Sequence, residues 1–292
     1  MASAKDLRKR ISSVKNTQQI TRAMKMVAAA KLRRAQDAIV NLRPYAHHMS
    51  TIVAGLAQSP EARLAHPLLG AGKGEDADRI LLVVVSSDRG LCGGFNANVI
   101  KAAHRYARTN AHKYKKFEIG FVGKKGYEFF KVKSPNAGRY YQNFFQGINF
   151  SKSAGLAEEL TASYLKGEFD EIKFVYNEFR SAISQKVVIE NLLPMRIDAT
   201  EKVVDPTMTI FEPNQYDLLE RLLPKHFAVQ VHRIMLESLA SEHGARMAAM
   251  ENATKNAGEM IYKLNLLYNK TRQAGITKEL LEIVAGSEAQ NG

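Results

Sequence analysis

AKDLRKRISSVKNTQQITRAMKMVAAAKLRRAQDAIVNLRPYAHHMSTIVAGLAQ, residues Ala4–Gln58, decides the architecture. Two seven-residue rows run through it, one from Leu7 to Leu56 and one from Ile11 to Val53. Twelve of their 15 positions are apolar, and the exceptions, Gln18, Thr21 and Lys25, fall together in the middle. Paired apolar rows at heptad spacing mark a coiled-coil seam, here with a polar waist. Pro44 is the only proline before residue 60, so the pattern predicts one helix over 4–58 with a kink near Pro44. At about 1.5 Å per residue such a helix is on the order of 80 Å long, more than a small globule can cover.

The other end of the chain repeats the theme. No proline follows Pro224 in the last 68 residues. Apolar residues recur in steps of three or four within each of three runs: Ala228, Val231, Met235, Leu239; Ala245, Ala249, Ala253, Ala257; and Met260, Leu264, Leu267. This predicts a second long helix, on the order of 85 Å, whose alanines let a partner helix come close. Between the helices the pattern changes. Residues 79–86 (RILLVVVS), 117–122 (FEIGFV), 171–179 (EIKFVYNEF) and 185–193 (QKVVIENLL) read as strands, with helical stretches at 97–107, 124–132 and 153–166. Alternating strands and helices predict an α/β layer with a largely parallel sheet.

The fold class expected is therefore α/β: a long antiparallel coiled coil of the N- and C-terminal helices plus a central Rossmann-like α/β domain. The helices run in opposite senses because the compact domain lies between them in the chain, and each has an apolar stripe to cover. The expected organisation is 1–58 for the first helix, 59–78 for a linker rich in proline and glycine, 79–212 for the α/β domain and 213–292 for the second helix. Residues 196–213, with Pro206 and Pro213, read as irregular.

The 292 residues include 42 Lys and Arg against 29 Asp and Glu, a formal charge of +13. That excess points at first to nucleic acid or an anionic surface. Its location narrows the choice. Residues 1–43 hold eleven basic residues against Asp6 and Asp37, which is +9 of the total. An Arg-rich, acid-poor N-terminus also fits a mitochondrial transit peptide, but the pattern runs unbroken far past transit-peptide length. One cysteine excludes an intrachain disulfide framework and any zinc site needing two thiolates. No apolar run reaches the length of a membrane span, and there is no signal-peptide core.

Candidate chemistry is sparse. Ser86–Asn96 (SSDRGLCGGFN) is a glycine-rich loop after the first strand, yet it matches neither the dinucleotide nor the P-loop pattern, so a tight turn at Gly90, Gly93 and Gly94 is expected rather than a phosphate cradle. No two of the eight histidines stand at i, i+4, and Cys92 reads as a buried structural thiol. No catalytic constellation, metal set or cofactor motif emerges. Thr17–Met26 (TQQITRAMKM) is more informative: Ile20, Met24 and Val27 share a stripe off the seam beside Arg22 and Lys25. That stripe is either a docking surface or ordinary core.

Three blocks carry a resemblance. Residues 4–31 (AKDLRKRISSVKNTQQITRAMKMVAAAK), 86–96 (SSDRGLCGGFN) and 269–284 (NKTRQAGITKELLEIV) are similar to the gamma subunit family of F-type ATP synthases, in the family's order and across the whole chain. The resemblance implies a central rotor shaft with no catalytic residue, metal or cofactor of its own. The two terminal helices would lie inside a ring of three alpha and three beta subunits, the α3β3 hexamer, and the α/β domain outside it, beside the epsilon subunit and the c-ring. Proton flow would turn the c-ring and the shaft together, and ATP chemistry would occur on the beta subunits. Membrane association would come only through the complex, at the cytoplasmic face of a bacterial inner membrane, the mitochondrial matrix side being the lesser alternative. No nucleic-acid partner is implied, so the competing reading is a basic coiled-coil nucleic-acid binder.

The resemblance also assigns residues. Arg8 and Arg10, on the basic face that includes Lys9, Lys15 and Arg22, are suited to acidic beta-subunit loops. Met24 and Lys25 lie at the family's shaft–beta contact, and Arg272, Gln273, Thr277 and Glu279 belong to the C-terminal beta-contact motif. Arg43 and Tyr45, with Phe211 and Glu212, match the base of the shaft where epsilon and the c-ring dock. Three features depart from the family. The tail Ala285–Gly292 runs on where many relatives stop, segment 199–207 is short, and a lone Cys92 leaves no place for the two-cysteine redox switch of plastid members.

Overall fold

The computed structural model describes residues 3–57, 66–69, 77–133, 138–195, 212 and 214–291. The chain is helix α1 (Ala4–Leu56), strand β1 (Arg79–Val85), α2 (Phe95–Asn110), β2 (Lys116–Val122), α3 (Lys124–Lys133), β3 (Tyr140–Tyr141), α4 (Phe150–Leu165), β4 (Glu171–Phe179), β5 (Gln185–Leu193) and α5 (Gln215–Asn291). It falls into two compact units. One is formed by residues 1–28 with 247–292, the other by residues 29–246.

The first unit is a helix pair. Ser3 opens α1 with a capping box: its hydroxyl accepts the Asp6 N–H at 3.2 Å, and the Asp6 carboxylate accepts the Ser3 N–H at 3.3 Å. Leu7, Ile11, Thr21 and Ala28 of the heptad rows are buried, and Val14, Gln18 and Lys25 are half-buried. On α5 the matching rows are Met250, Ala257, Leu264, Thr271 and Thr254, Ile261, Tyr268, all buried or half-buried. Met260 and Leu267, expected on this stripe, instead face outward at 52% and 48% exposure. The seven-residue step from Thr254 carries the inward face to Ile261 and Tyr268, one position beyond them.

The second unit holds the sheet, in order β3-β2-β1-β4-β5. β1 pairs in parallel with β2 and β4, β3 in parallel with β2, and β5 runs antiparallel to β4. β1 reads as an unbroken apolar run because both of its faces are covered. Leu81, Val83 and Val85 face a cluster with Leu156 and Leu160 of α4, Met49 and Val53 of α1, and Leu223 and Phe227 of α5. Leu82 and Val84 face Val99 and Ala103 of α2 and Phe130 of α3. α1 and α5 are antiparallel here too, with the Gln215 amide donating to the Leu56 carbonyl at 2.6 Å.

Pro44 lies inside α1, in line with one helix over 4–58, and Pro224 lies inside α5, which begins at Gln215, close to the expected 213. Asn214 supports that start, since its side-chain oxygen accepts the Asp217 N–H at 2.9 Å. Within the expected linker, Pro67–Leu69 forms a 3-10 turn whose Leu68 is fully buried. The two-residue strand β3 was not anticipated. The irregular stretch 196–211, including Phe211, lies outside the described residues.

Candidate functional surface

The polar waist of the heptad rows finds its partners on α5. The Gln18 amide donates to the Thr254 carbonyl at 3.3 Å, and the Thr21 and Thr254 hydroxyls are 2.8 Å apart. Lys25 Nζ lies 2.7 Å from Glu251 Oε1. Gly258 makes room here, since a Cβ on it would come within 3.1 Å of the Gln18 amide nitrogen. Beside these pairs runs a groove of about 590 Å³ lined by Gln18, Arg22, Lys25, Glu251, Lys255 and Glu259.

The waist thus uses Lys25 internally, whereas the rest of the basic face is free. Arg8, Lys9, Arg10, Lys15 and Arg22 are exposed and form no ion pair among the described residues. Ile20 and Val27 are 61% and 56% exposed, and Met24 is half-buried. At Ile20 and Val27 the off-seam stripe is therefore exposed rather than core. Apolar side chains held between unpaired cations form a surface suited to a partner that is both acidic and apolar.

The C-terminal motif lies in a different setting. Past Thr271 every described side chain of α5 through Ser287 is exposed. The Thr21–Thr254 contact across the antiparallel pair brings the start of α1, at Ala4, level with about residue 271, so α5 continues alone. Arg272, Gln273, Thr277 and Glu279 all stand on this unpaired segment. Helical geometry aligns Arg272 with Glu279 on one face and Gln273 with Thr277 on another. Ile276, Leu280, Ile283 and Val284 are 48–69% exposed between them. The apolar stripe traced in the sequence stops at Leu267, and the run beyond it lies past the start of α1.

Arg43 and Tyr45 are exposed on α1 in the second unit, and Glu212 is exposed ahead of α5.

The glycine-rich loop closes on itself. The Ser87 N–H donates to Asn96 Oδ1 at 3.0 Å, and the Asn96 amide donates to Ser87 Oγ at 2.8 Å. Of the three glycines expected to be required, Gly93 adopts φ +55°, but Gly90 has open space where a Cβ would go. The closest approach is at Gly123, with φ +93° and a Cβ position only 2.0 Å from the Ser86 carbonyl oxygen. Cys92 is buried, and burial pushes its thiol pKa up. In doubly wound sheets, ligands bind outside the carboxyl ends of the strands where the order reverses. Here α5 crosses that place. Ser241 Oγ donates to the Asn177 carbonyl at 3.0 Å, and Arg246 donates to the Gly90 carbonyl at 3.1 Å. Among the described residues no group of three or more His, Cys, Asp or Glu is placed to hold a metal ion, and no helix is long and apolar enough to cross a membrane.

An antiparallel pair of long helices with an α/β domain between them in the chain defines a stalk-type subunit. The family model described as ATP synthase matches residues 3–290. The chain is 48% identical over 292 residues to the ATP synthase gamma chain of Geotalea uraniireducens, covering all of both chains. It is 50% identical over 293 residues to that of Anaeromyxobacter dehalogenans, covering 99% of each. Among solved structures, it is similar to a chain of the central stalk and c-ring of Tetrahymena thermophila mitochondrial ATP synthase, at 26% identity and TM-score 0.59, covering 80% of this chain and 99% of that one. A chain of the Euglena gracilis mitochondrial ATP synthase shares its fold at TM-score 0.69 and 24% identity, covering 98% of this chain and 94% of that one. The chain belongs to the ATP synthase gamma chain family: it is a non-catalytic, central-stalk subunit of an F-type ATP synthase.

Proposed function

We propose that this chain turns inside an α3β3 hexamer and converts rotation of a c-ring into sequential changes at the beta-subunit catalytic sites. The observation that carries this reading is the row of exposed cations without intramolecular partners, Arg8 to Arg22, beside exposed Ile20 and Val27. A bearing needs many weak contacts rather than one tight lock, and exposed ion pairs in the range of about 0–1 kcal/mol suit that need. Acidic loops of the beta subunits would meet Arg8, Arg10, Met24 and Lys25. Arg272, Gln273, Thr277 and Glu279, on the unpaired end of α5, would meet a second beta-subunit loop. Arg43, Tyr45 and Glu212, together with Phe211, would serve docking to epsilon and the c-ring, placing the subunit peripherally on the cytoplasmic face of a bacterial inner membrane.

The test is to charge-reverse Arg8 and Arg10 together in the assembled complex and to measure ATP hydrolysis and ATP-driven proton pumping side by side. The reading expects pumping per ATP to fall while the complex still assembles. Unchanged coupling would remove these residues from the contact. The nucleic-acid alternative would instead show as binding of the isolated chain to DNA with a steep dependence on salt.

A further inference from the structure

We propose that Arg233 is the positioning residue through which turning force passes between the sheet and α5, an inference that rests on the rotor reading above. Arg233 Nη2 donates to Glu190 Oε1 of β5 at 2.6 Å, and Nη1 donates to the Tyr176 hydroxyl of β4 at 3.3 Å. The Tyr176 hydroxyl in turn donates to the other Glu190 oxygen at 2.7 Å. One guanidinium, one carboxylate and one phenol thus form a closed ring across a helix and two strands. The ring is braced from the helix itself. Arg233 Nε donates to Gln230 Oε1 at 2.8 Å, and Nη1 reaches Glu237 Oε1 at 3.4 Å.

The rest of the seat of α5 explains why this ring bears the force. Leu219, Leu223, Phe227, Val231 and Met235 bury it in the apolar cluster. Apolar burial is non-directional, so it resists separation far more than it resists a helix turning about its own axis or sliding along it. Hydrogen bonds from a planar guanidinium fork are directional and fail within tenths of an ångström and tens of degrees. Among the described residues Arg233–Glu190 is the one ion pair joining α5 to a strand. Ser241 adds a single hydroxyl bond to the Asn177 carbonyl two turns further along. The Arg233 and Glu190 side chains are only 26% and 31% exposed, which limits screening by salt. A largely buried ion pair is weak evidence for stability, because well-packed apolar residues often serve as well. Its geometry is what an apolar pair cannot supply.

The experiment uses the whole complex in sealed vesicles and measures ATP-driven proton pumping against a series of imposed proton gradients. The variants are Arg233→Met with Glu190→Leu, which keeps the volume and removes the ring, and Arg233→Lys, which keeps the charge and loses the fork. Both are expected to hydrolyse ATP at the wild-type rate without a gradient, and then to stall at a gradient the wild-type complex still climbs. The double variant should stall first and the lysine variant between it and wild type. A merely structural role would lower assembly or thermal stability without moving the stall point. Wild-type stall behaviour in either assembled variant overturns the proposal. Failure of both variants to assemble also overturns it, since the ring would then serve folding rather than force. A wild-type complex that does not pump at all would instead bring down the rotor reading.

Discussion

Lys25 of α1 and Glu251 of α5 face each other across the antiparallel pair with Nζ and Oε1 2.7 Å apart, and both remain in solvent at 38% and 58% side-chain exposure. The contact sits at the polar waist, beside the groove that holds Arg22 and Lys255. A pair this exposed contributes no more than about 1 kcal/mol to stability. Its interest lies in what happens when one charge is reversed.

Lys25→Glu should lower the stability of the assembled stalk by about 1 kcal/mol or less, read as a small drop in melting temperature. Pumping per ATP should fall by a larger factor than stability does. The charge-swapped double variant Lys25→Glu/Glu251→Lys restores the pair. If coupling returns with it, Lys25 acts through Glu251; if coupling stays low, position 25 itself faces the partner.

The unpaired end of α5 should be the first part of the isolated chain to be cut. A single helix of this length is marginal without tertiary support. Trypsin is expected to cleave after Lys270, Arg272 and Lys278 before it cleaves within β1 to β5, as read by mass spectrometry of early fragments. In the assembled complex the same sites should be protected. A chain resistant at these positions when alone would mean the segment has support of its own.

Glycine substitutions should separate sharply by position. Gly123→Ala forces a methyl group to within 2.0 Å of the Ser86 carbonyl oxygen at a positive φ, and should cost about 4 kcal/mol or more, abolishing stable folding. Gly155→Ala in α4 meets open space and should raise stability by roughly 0.5–1 kcal/mol. Thermal melts of the two variants check both.

His243 gives a pH signature. It is buried on α5, and burial, followed by the charges of Arg246 and Lys31, lowers its pKa to about 4. A histidine held neutral stabilises the fold fully above its unfolded value near 6.5, and that stability is lost as pH falls toward about 4. The neighbouring Glu242 has the opposite sign, because burial raises its pKa and protonation then favours the fold as pH falls. The measurement is therefore the difference in melting temperature between wild type and His243→Gln from pH 7 to pH 4. Wild type should lose more over that range. Asp170, held below the usual carboxylate range by Arg79, contributes stability that is lost only at lower pH.

The helix pair was legible because its signal is local. A seven-residue step repeats within every stretch of α1, and its seam positions from Leu7 to Leu56 are all buried or half-buried. The ends of β4 and β5 were readable for the same reason, with alternation and turn residues close at hand. β3 was not, since Tyr140 and Tyr141 are too short a run to carry any period. Arg233–Glu190 and Lys25–Glu251 join residues far apart in the chain, and nothing near either partner announces the other. Met260 and Leu267 misled because apolar residues on both sides of a helix offer two stripes, and only the register with α1 chooses between them. The basic residues of the exposed face could be named from sequence, but only burial could show that Ile20 and Val27 lie with them rather than with the core.

Gln18, Thr21 and Lys25 fix the register of the pair at its waist. A seam that was apolar throughout could slip by a heptad and repack almost as well, whereas polar partners matched one to one admit a single alignment. A slip of seven residues would shift α5 by about 10 Å along α1 and lengthen or shorten its solitary end by two turns. The waist therefore works as an index mark: the reach of the far tip is set by three side chains midway along the pair, not by anything at the tip itself.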